Sequence, residues 1–521
     1  MGRIMNAKHR ELISLTLVLI LLVLAAASSQ RWYHRFDLTD DRRYTISTPT
    51  REAIEGVQDV VTVRYFVSSR LDQLSPIPGQ IHDLLREYAA VGGGRIQVER
   101  LDPTASETAQ RARQLGMLPQ QIQVVEESQA SVATVFSGIQ LIYRDEQEII
   151  PVIFEPEDVE YRVTTAIRRL TGGQQQTVGV LFGTDGLRLD SSHRTMQQVL
   201  SEGYRVRPLE RGESIPPTVD FLFLVGGADL TDRDVLPLDR FLVEGGSMMA
   251  AIDGVEIDLD AQLDPQPLSD DHPVLSWLEH HGARIEPRLV LDSRHHSIPV
   301  QDVAGERVFH TSEPYPHWIE LHHSTVNPNH PLTARFPGLD LFWASPLTLI
   351  PGLDREAIPL IHTSADSWLL SRNFATDPQN AQASRTIADE RDGRYLVAGE
   401  ISGVFRPYYE YPDPTEQPGR LLVIADGDFT SDLMGYTDSY YNADFLLNTA
   451  DWLANEPELM AVRTRSQRDL RLDPGSDSAA IRMHAAWIQL VNIALLPIAV
   501  AAAGLLVHIR RRRRTDWRAD S

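Results

Sequence analysis

Apolar residues fall into three patterns along this chain: an uninterrupted run near each end, with helical or strand-like spacing between them. The first run, residues 12–28, reads LISLTLVLILLVLAAAS. Its seventeen uncharged residues make a helix of roughly 25 Å at about 1.5 Å per residue, near the lower limit for crossing a bilayer. Arg3, Lys8 and Arg10 precede it, and Trp32 and Tyr33 follow as candidate interfacial aromatics. A cleaved signal peptide is the competing reading, because Ala25, Ala26 and Ala27 supply small residues after the apolar stretch. The second run, residues 485–509, is followed at once by five arginines, Arg510 to Arg514, the pattern of a stop-transfer segment with a basic tail over 510–521. Counting positive flanks places residues 1–11 and the tail in the cytoplasm. The pattern therefore predicts a two-pass inner-membrane protein, with helices at 12–28 and 485–509 bracketing an extracytoplasmic or periplasmic region.

Between the runs, the spacing predicts two α/β domains. In the first, residues 31–171, helices are expected over 50–57, 81–91, 108–115 and 159–170, and strands over 60–68 and 95–102. Ile81, Leu84, Leu85 and Tyr88 share one helical face. Residues 138–145 and 148–154 read as a hairpin. In the second, residues 177–465, apolar strands at 177–183, 219–227 and 245–254 alternate with helices over 192–202 and 231–244. That alternation is the mark of a parallel sheet covered on both faces. The pattern blurs over 268–392, which is expected to be an irregular insertion. It resumes with strands at 394–403 and 420–429 and a helix over 442–456, before a linker at 466–484.

Composition narrows the chemistry. A net charge of −23 opposes nucleic acid as a partner, because phosphate binding needs clustered cations. The chain has no cysteine, which excludes disulfides, thiolate metal sites and cysteine nucleophiles. Lys8 is its only lysine, so the region between the apolar runs has none for a phosphate loop, a Schiff base or a Ser–Lys dyad.

Several short strings carry a family resemblance. YTISTPT runs from Tyr44 to Thr50, and Arg100-Leu-Asp-Pro103 precedes a helix ending at Leu115-Gly116. Glu160-Tyr161 is followed by Thr164 and continues to Leu170. Gly245-Gly246 is followed by Ser247, Gly427-Asp428-Phe429 ends an apolar strand, and NTADWL runs from Asn448 to Leu453. In this order and spacing they resemble the GldG-like family, auxiliary subunits of ABC-2-type transporters linked to gliding motility. Ser247 replaces that family's basic residue, and Ala425 stands where it prefers glycine. The resemblance implies an extracytoplasmic accessory domain beside an ABC-2 permease, with the ABC ATPase on another polypeptide and no catalytic residue; contact with an envelope partner is a further expectation.

The expected sheet of the second domain is similar to flavodoxin-like and class I glutamine-amidotransferase-like folds. The latter activity needs a cysteine nucleophile, which this chain lacks. Gly183-Thr-Asp-Gly186 and Gly226-Gly227 lie where open α/β sheets bind ligands, although glycine also simply ends strands. Asp426 and Asp428 are candidate Mg²⁺ ligands or a carboxylate pair, with Asp432 and Asp438 near in sequence. The rival reading is an acidic turn capping the next helix. Ten of the 17 histidines fall between His272 and His330, yet no H-E-x-x-H string occurs, and adjacent histidines on a strand point to opposite faces. With no complete nucleophile–base or metal constellation, the chain is expected to be non-catalytic and to need no cofactor. Its expected role is scaffolding or gating of the permease. The rivals are a solute- or glycan-binding protein and a metal-dependent hydrolase centred on Asp426 and Asp428.

Overall fold

Two sheets organise the computed structural model, which describes residues 46–455 apart from 104–105, 118, 127–128, 173–174, 260–262, 305–306, 335, 337, 413–414 and 438–440. All described residues belong to one unit, Met1–Arg468.

The first sheet has four strands. Helix α1 (Thr48–Glu55) leads into β1 (Val61–Val67), α2 (Ile77–Gly92) and β2 (Ile96–Leu101). Strands β3 (Ser137–Tyr143) and β4 (Glu146–Ile150) form the expected hairpin, and α3 (Pro156–Leu170) closes the layer. The strand order is β2-β1-β3-β4, with β1 parallel to β2 and antiparallel to β3. Val61, Val63 and Tyr65 alternate onto the buried face of β1. They meet Ile81, Leu85 and Tyr88 of α2 and Val159, Val163 and Ile167 of α3, the i, i+4 and i+7/i+8 stripes of two amphipathic helices. A second hairpin, Gln120–Glu126 with Gln129–Val135, forms where the sequence carries no glycine or proline signal.

The second sheet has seven strands. Its parallel part comprises β5 (Thr177–Phe182), β6 (Arg205–Leu209), β7 (Phe221–Val225), β8 (Ser247–Ala251) and, much later, β11 (Pro418–Ile424). Between β8 and β11 the chain supplies β9 (Arg355–His362) and β10 (Leu396–Val404), which extend the same sheet antiparallel to their neighbours. The full order is β9-β10-β11-β8-β7-β5-β6. The five parallel strands thus run 2-1-3-4-5 in their own chain order, the flavodoxin-like arrangement. Every residue of β7, FLFLV, is buried because both faces are covered. Phe221 and Phe223 face α4 (Arg194–Gly203) and α7 (Tyr441–Leu453). Leu222 and Leu224 face α5 (Asp232–Val243) and α6 (Pro273–His280). Full burial of such side chains contributes about 1.5–3 kcal/mol each.

Two expectations are corrected. The longest described helix, α2, has 16 residues and a polar face, short of the ~20 apolar residues that span a bilayer. Among the described residues no helix is long and apolar enough to cross a membrane, and segments 12–28 and 485–509 lie outside them. The fold is a mixed α/β body with several small sheets, so the bracketing by two membrane helices and the two-pass inner-membrane placement are not supported. The linker at 466–484 and the basic tail also lie outside the described residues. The second correction concerns 268–392, where irregular chain was expected. It holds α6 and antiparallel strands, including Leu289–Asp292 paired with Ser367–Leu370, and the 15-residue Arg307–Leu321 paired with both His295–Ala304 and Leu339–Phe342. The strands of three or four residues are too short to show a period of two, and Pro299, Pro314 and Pro316 interrupt the pattern of the longer pair.

Candidate functional site

Ligands of open α/β sheets bind beyond the carboxyl ends of the strands, at the point where strand order reverses. In this sheet that point lies between β5 and β7. The loops there are Gly183-Thr-Asp-Gly186 and Gly226-Gly227, as the sequence suggested, but their glycines answer to packing. A Cβ on Gly183 would collide with the Gly226 carbonyl oxygen. Gly226 itself has φ +68, a conformation costly for any side chain. Thr184 Oγ1 accepts from the backbone N–H of Gly227 at 3.1 Å and of Ala228 at 3.2 Å, knitting one loop to the other.

The adjoining N-terminus of α4 is where such a fold offers backbone N–H groups to an anion. Asp432, from the turn after β11, takes that place. Its Oδ1 accepts Thr195 N–H at 2.9 Å and its Oδ2 accepts Arg194 Nε–H at 3.1 Å. Burial alone raises the Asp432 carboxyl, but these donors outweigh it and hold the group below its ordinary value.

Asp426 and Asp428 follow β11 directly. Asp426 is fully buried, and both its oxygens accept backbone N–H groups: Oδ1 from Phe429 at 3.0 Å and Oδ2 from Phe342. Phe342 belongs to the insertion, so Asp426 fastens that segment over the strand ends. Ser345 continues the seam, its N–H donating to Ala425 O at 2.8 Å and its Oγ accepting Gly254 N–H at 3.0 Å. Asn442 of α7 completes it, donating to Asp340 O and Phe429 O and accepting Asp340 N–H. Asp426 thus holds the N–H of Phe429 in the turn that follows it and, across 84 residues of sequence, that of Phe342.

Sequence reasoning missed the partners of this cluster. Asp253 follows β8, and its Oδ1 accepts Gly427 N–H at 2.9 Å. The signal was present, because two buried strands each end in Asp-Gly, at Asp253-Gly254 and Asp426-Gly427. Burial, then the facing carboxyls, pushes Asp426, Asp253 and Asp428 well above the carboxylate range. Glu256 is pushed up to about 7 by burial and then by Asp229, with Thr184 opposing. The cluster is thus a group of proton-retaining acids. Among the described residues no three His, Cys, Asp or Glu side chains converge as a metal site. Asp438 lies outside them.

The histidines of 272–330 disperse. His281 Nε2 meets buried Asp239 at 2.7 Å, His296 meets Asp340 at 2.8 Å, and His330 meets Glu400 at 3.2 Å. His317 and His272 bond the carbonyls of Phe374 and Ala228. Each of these five has its own partner, and they lie in a packed part of the body.

The strings at Ser47–Thr50 and Glu160–Thr164, by contrast, converge. Glu160 accepts Ser47 N–H at 2.6 Å and the Thr50 hydroxyl at 2.8 Å, across more than a hundred residues. Thr164 Oγ1 lies 2.9 Å from Thr50 Oγ1 and 2.7 Å from the Tyr88 hydroxyl. Tyr44 lies outside the described residues.

Comparison with known proteins fits this convergence of motifs. A Borreliella burgdorferi protein described as uncharacterized is 22% identical over 522 residues, spanning 98% of this chain and 100% of its own. A ThuA-like protein structure from Parabacteroides merdae covers 54% of this chain and 90% of its own at 12% identity, with a TM-score of 0.28. Residues 40–142 match a domain of unknown function, DUF7088. Residues 175–449, more than half of the chain, match the ABC transporter auxiliary family, described as an ABC-type uncharacterized transport system. The chain belongs to that family, within which the GldG-like resemblance sits, and its role is that of an accessory component of an ABC transport system.

Proposed function

We propose that the chain is a non-catalytic subunit that scaffolds or gates an ABC-2-type permease, while a separate ABC ATPase supplies the energy. The observation that carries this reading is the filling of the strand-end crevice by the chain's own groups. Asp432 occupies the N-terminus of α4, Thr184 bridges the two glycine loops, and the 342–345 backbone lies over Asp426 and Gly254. A sheet whose ligand positions are held by its own residues suits a rigid contact body better than a turnover site. The lack of any lysine beyond Lys8 also leaves nucleotide chemistry to a partner, since a phosphate loop uses lysine to reach the β- and γ-phosphates.

The test has two arms. Tagged full-length chain, isolated from its native host, is expected to bring down an ABC ATPase and an ABC-2 permease, both identified by mass spectrometry. The purified chain with magnesium is expected to show neither ATP turnover nor saturable micromolar ATP binding by calorimetry. Isolation without either transporter component, or turnover that survives removal of contaminating ATPases, would sink the reading.

A further inference from the structure

Glu160 and Tyr161 are consecutive on α3, yet they hold two segments from opposite ends of the described chain. On one side is α1. In an ordinary capping box, the acid that receives the N-cap N–H sits three residues along the same helix. Here Ser47 is the N-cap, with its side chain accepting Thr50 N–H, and the third position is Thr50 itself. The acid comes from α3 instead, because Glu160 takes the Ser47 N–H and the Thr50 hydroxyl. The N-terminus of α1 is therefore completed only when α3 lies against it. On the other side is α7. The Tyr161 hydroxyl donates to Oδ1 of Asp451 at 3.3 Å, and the Tyr204 hydroxyl donates to the same oxygen at 2.6 Å. Asp451 is fully buried. Arg162 adds an ion pair with Glu202 of α4 and donates to Val152 O at 2.8 Å.

From this geometry we propose that α3 is a relay that couples the seating of α1 to the seating of α7. Neighbouring residues on a helix are about 100° apart with a rise of about 1.5 Å, so Glu160 and Tyr161 cannot move independently. Lifting residues 47–50 would leave the enclosed Glu160 carboxylate without its two donors, a state that favours rotation of α3 toward water. That rotation carries Tyr161 away from Asp451, to which its bond is already the longer of the two. Loosening of α7 would likewise free α3 to turn and would unseat α1, because coupling between two sites is reciprocal. The relay needs no ligand and stands apart from the strand-end acids.

Hydrogen–deuterium exchange on the full-length chain tests the idea. Thr50→Val keeps the shape of the side chain and removes its hydroxyl. It is expected to raise exchange about tenfold over residues 46–55 and again over 441–453, the loss of one buried bond to a charged group. Tyr161→Phe should raise exchange over the same two segments, and the double variant should add little to either single one. Strand β7, at 221–225, serves as the control for general destabilisation. The relay is overturned if each variant loosens only its own side, if the two effects multiply, or if β7 loosens in parallel. Glu160→Gln guards against a fold too weakened to read, since it keeps an acceptor for α1, and it should give the same two-segment pattern at smaller amplitude.

Discussion

Glu160 in the four-stranded layer and Asp426 in the seven-stranded layer are both enclosed acids that tie down backbone from far away in sequence. Glu160 reaches back 113 residues to Ser47, and Asp426 reaches back 84 residues to Phe342. Their surroundings differ in sign. The side-chain groups that bond around Glu160 are neutral hydroxyls, from Thr50, Thr164 and Tyr88. Asp426 faces Asp253 and lies next to Asp428, which in turn faces Glu256, so burial and like charge together favour the protonated form. The first arrangement joins segments through donors; the second joins them among acids and so ties the joint to pH. A buried carboxyl is therefore not in itself a mark of catalysis. What it faces decides what it can do.

The largest effect that could break this comparison is at Glu160. Removing its carboxylate leaves the Ser47 N–H enclosed without an acceptor and the Thr50 hydroxyl with only Thr164 to receive its proton, and Glu160→Ala is expected to cost about 3 kcal/mol in urea unfolding at neutral pH. A cost within about 0.5 kcal/mol, the ordinary surface value, would show that Glu160 does not hold the joint. The next effect sharpens the other half. Glu256 carries a carboxyl raised from its ordinary 4.5 to about 7, so the folded state holds its proton where the unfolded chain has released it. Stability from that group is fully present below about pH 4.5 and is lost as pH rises through about 7. Glu256→Gln should remove that loss, flattening the stability profile over this window by up to about 3 kcal/mol. Parallel profiles for the two proteins would mean that Glu256 titrates as it does in the unfolded chain.

Legibility followed the range of the interactions. The stripe Ile81, Leu84, Leu85 and Tyr88 and the run FLFLV were readable because a period of 3.6, or full burial, is written locally. Four of the five parallel strands could be located, the edge strand β6 at 205–209 escaping because only two of its five residues are apolar, but not their 2-1-3-4-5 order, because neighbours in a sheet need not be neighbours in sequence. The pairing of Ser47 and Thr50 with Glu160 escaped for the same reason: a capping box split between two helices has no spacing to detect. Asp426 was singled out as a strand-end acid, yet its partner Phe342 lies in a four-residue strand too short to show a period. The opposing Asp253 was missed although the same Asp-Gly ending marks it. Segments 12–28 and 485–509, the strongest hydropathy signal in the sequence, lie outside the described residues.

The smallest effect separates the two kinds of acid within the seven-stranded layer itself. Asp432 lies on the same loop system as Asp426 and Asp428, but it faces donors, with Thr195 N–H and Arg194 bonding its two oxygens at the start of α4. It acts as a helix cap supplied from another part of the chain, and loss of such a cap typically costs about 1 kcal/mol. Asp432→Ala is expected to cost that amount at neutral pH. The sign of its pH dependence is opposite to that of Glu256. Its folded-state value lies below the ordinary 3.8, so its contribution is present above that value and is lost as pH falls through the lower one. The gap between wild type and Asp432→Ala should therefore close in acid, while the gap for Glu256→Gln opens toward neutral pH. The variant also exposes the backbone N–H groups of α4, which attract anions. Added sulfate should then stabilise Asp432→Ala more than it stabilises the wild type, the comparison cancelling the general effect of the salt on both proteins. Equal responses to sulfate, with a gap that persists at low pH, would show that Asp432 supports the loop by packing and that the start of α4 is not the site it fills.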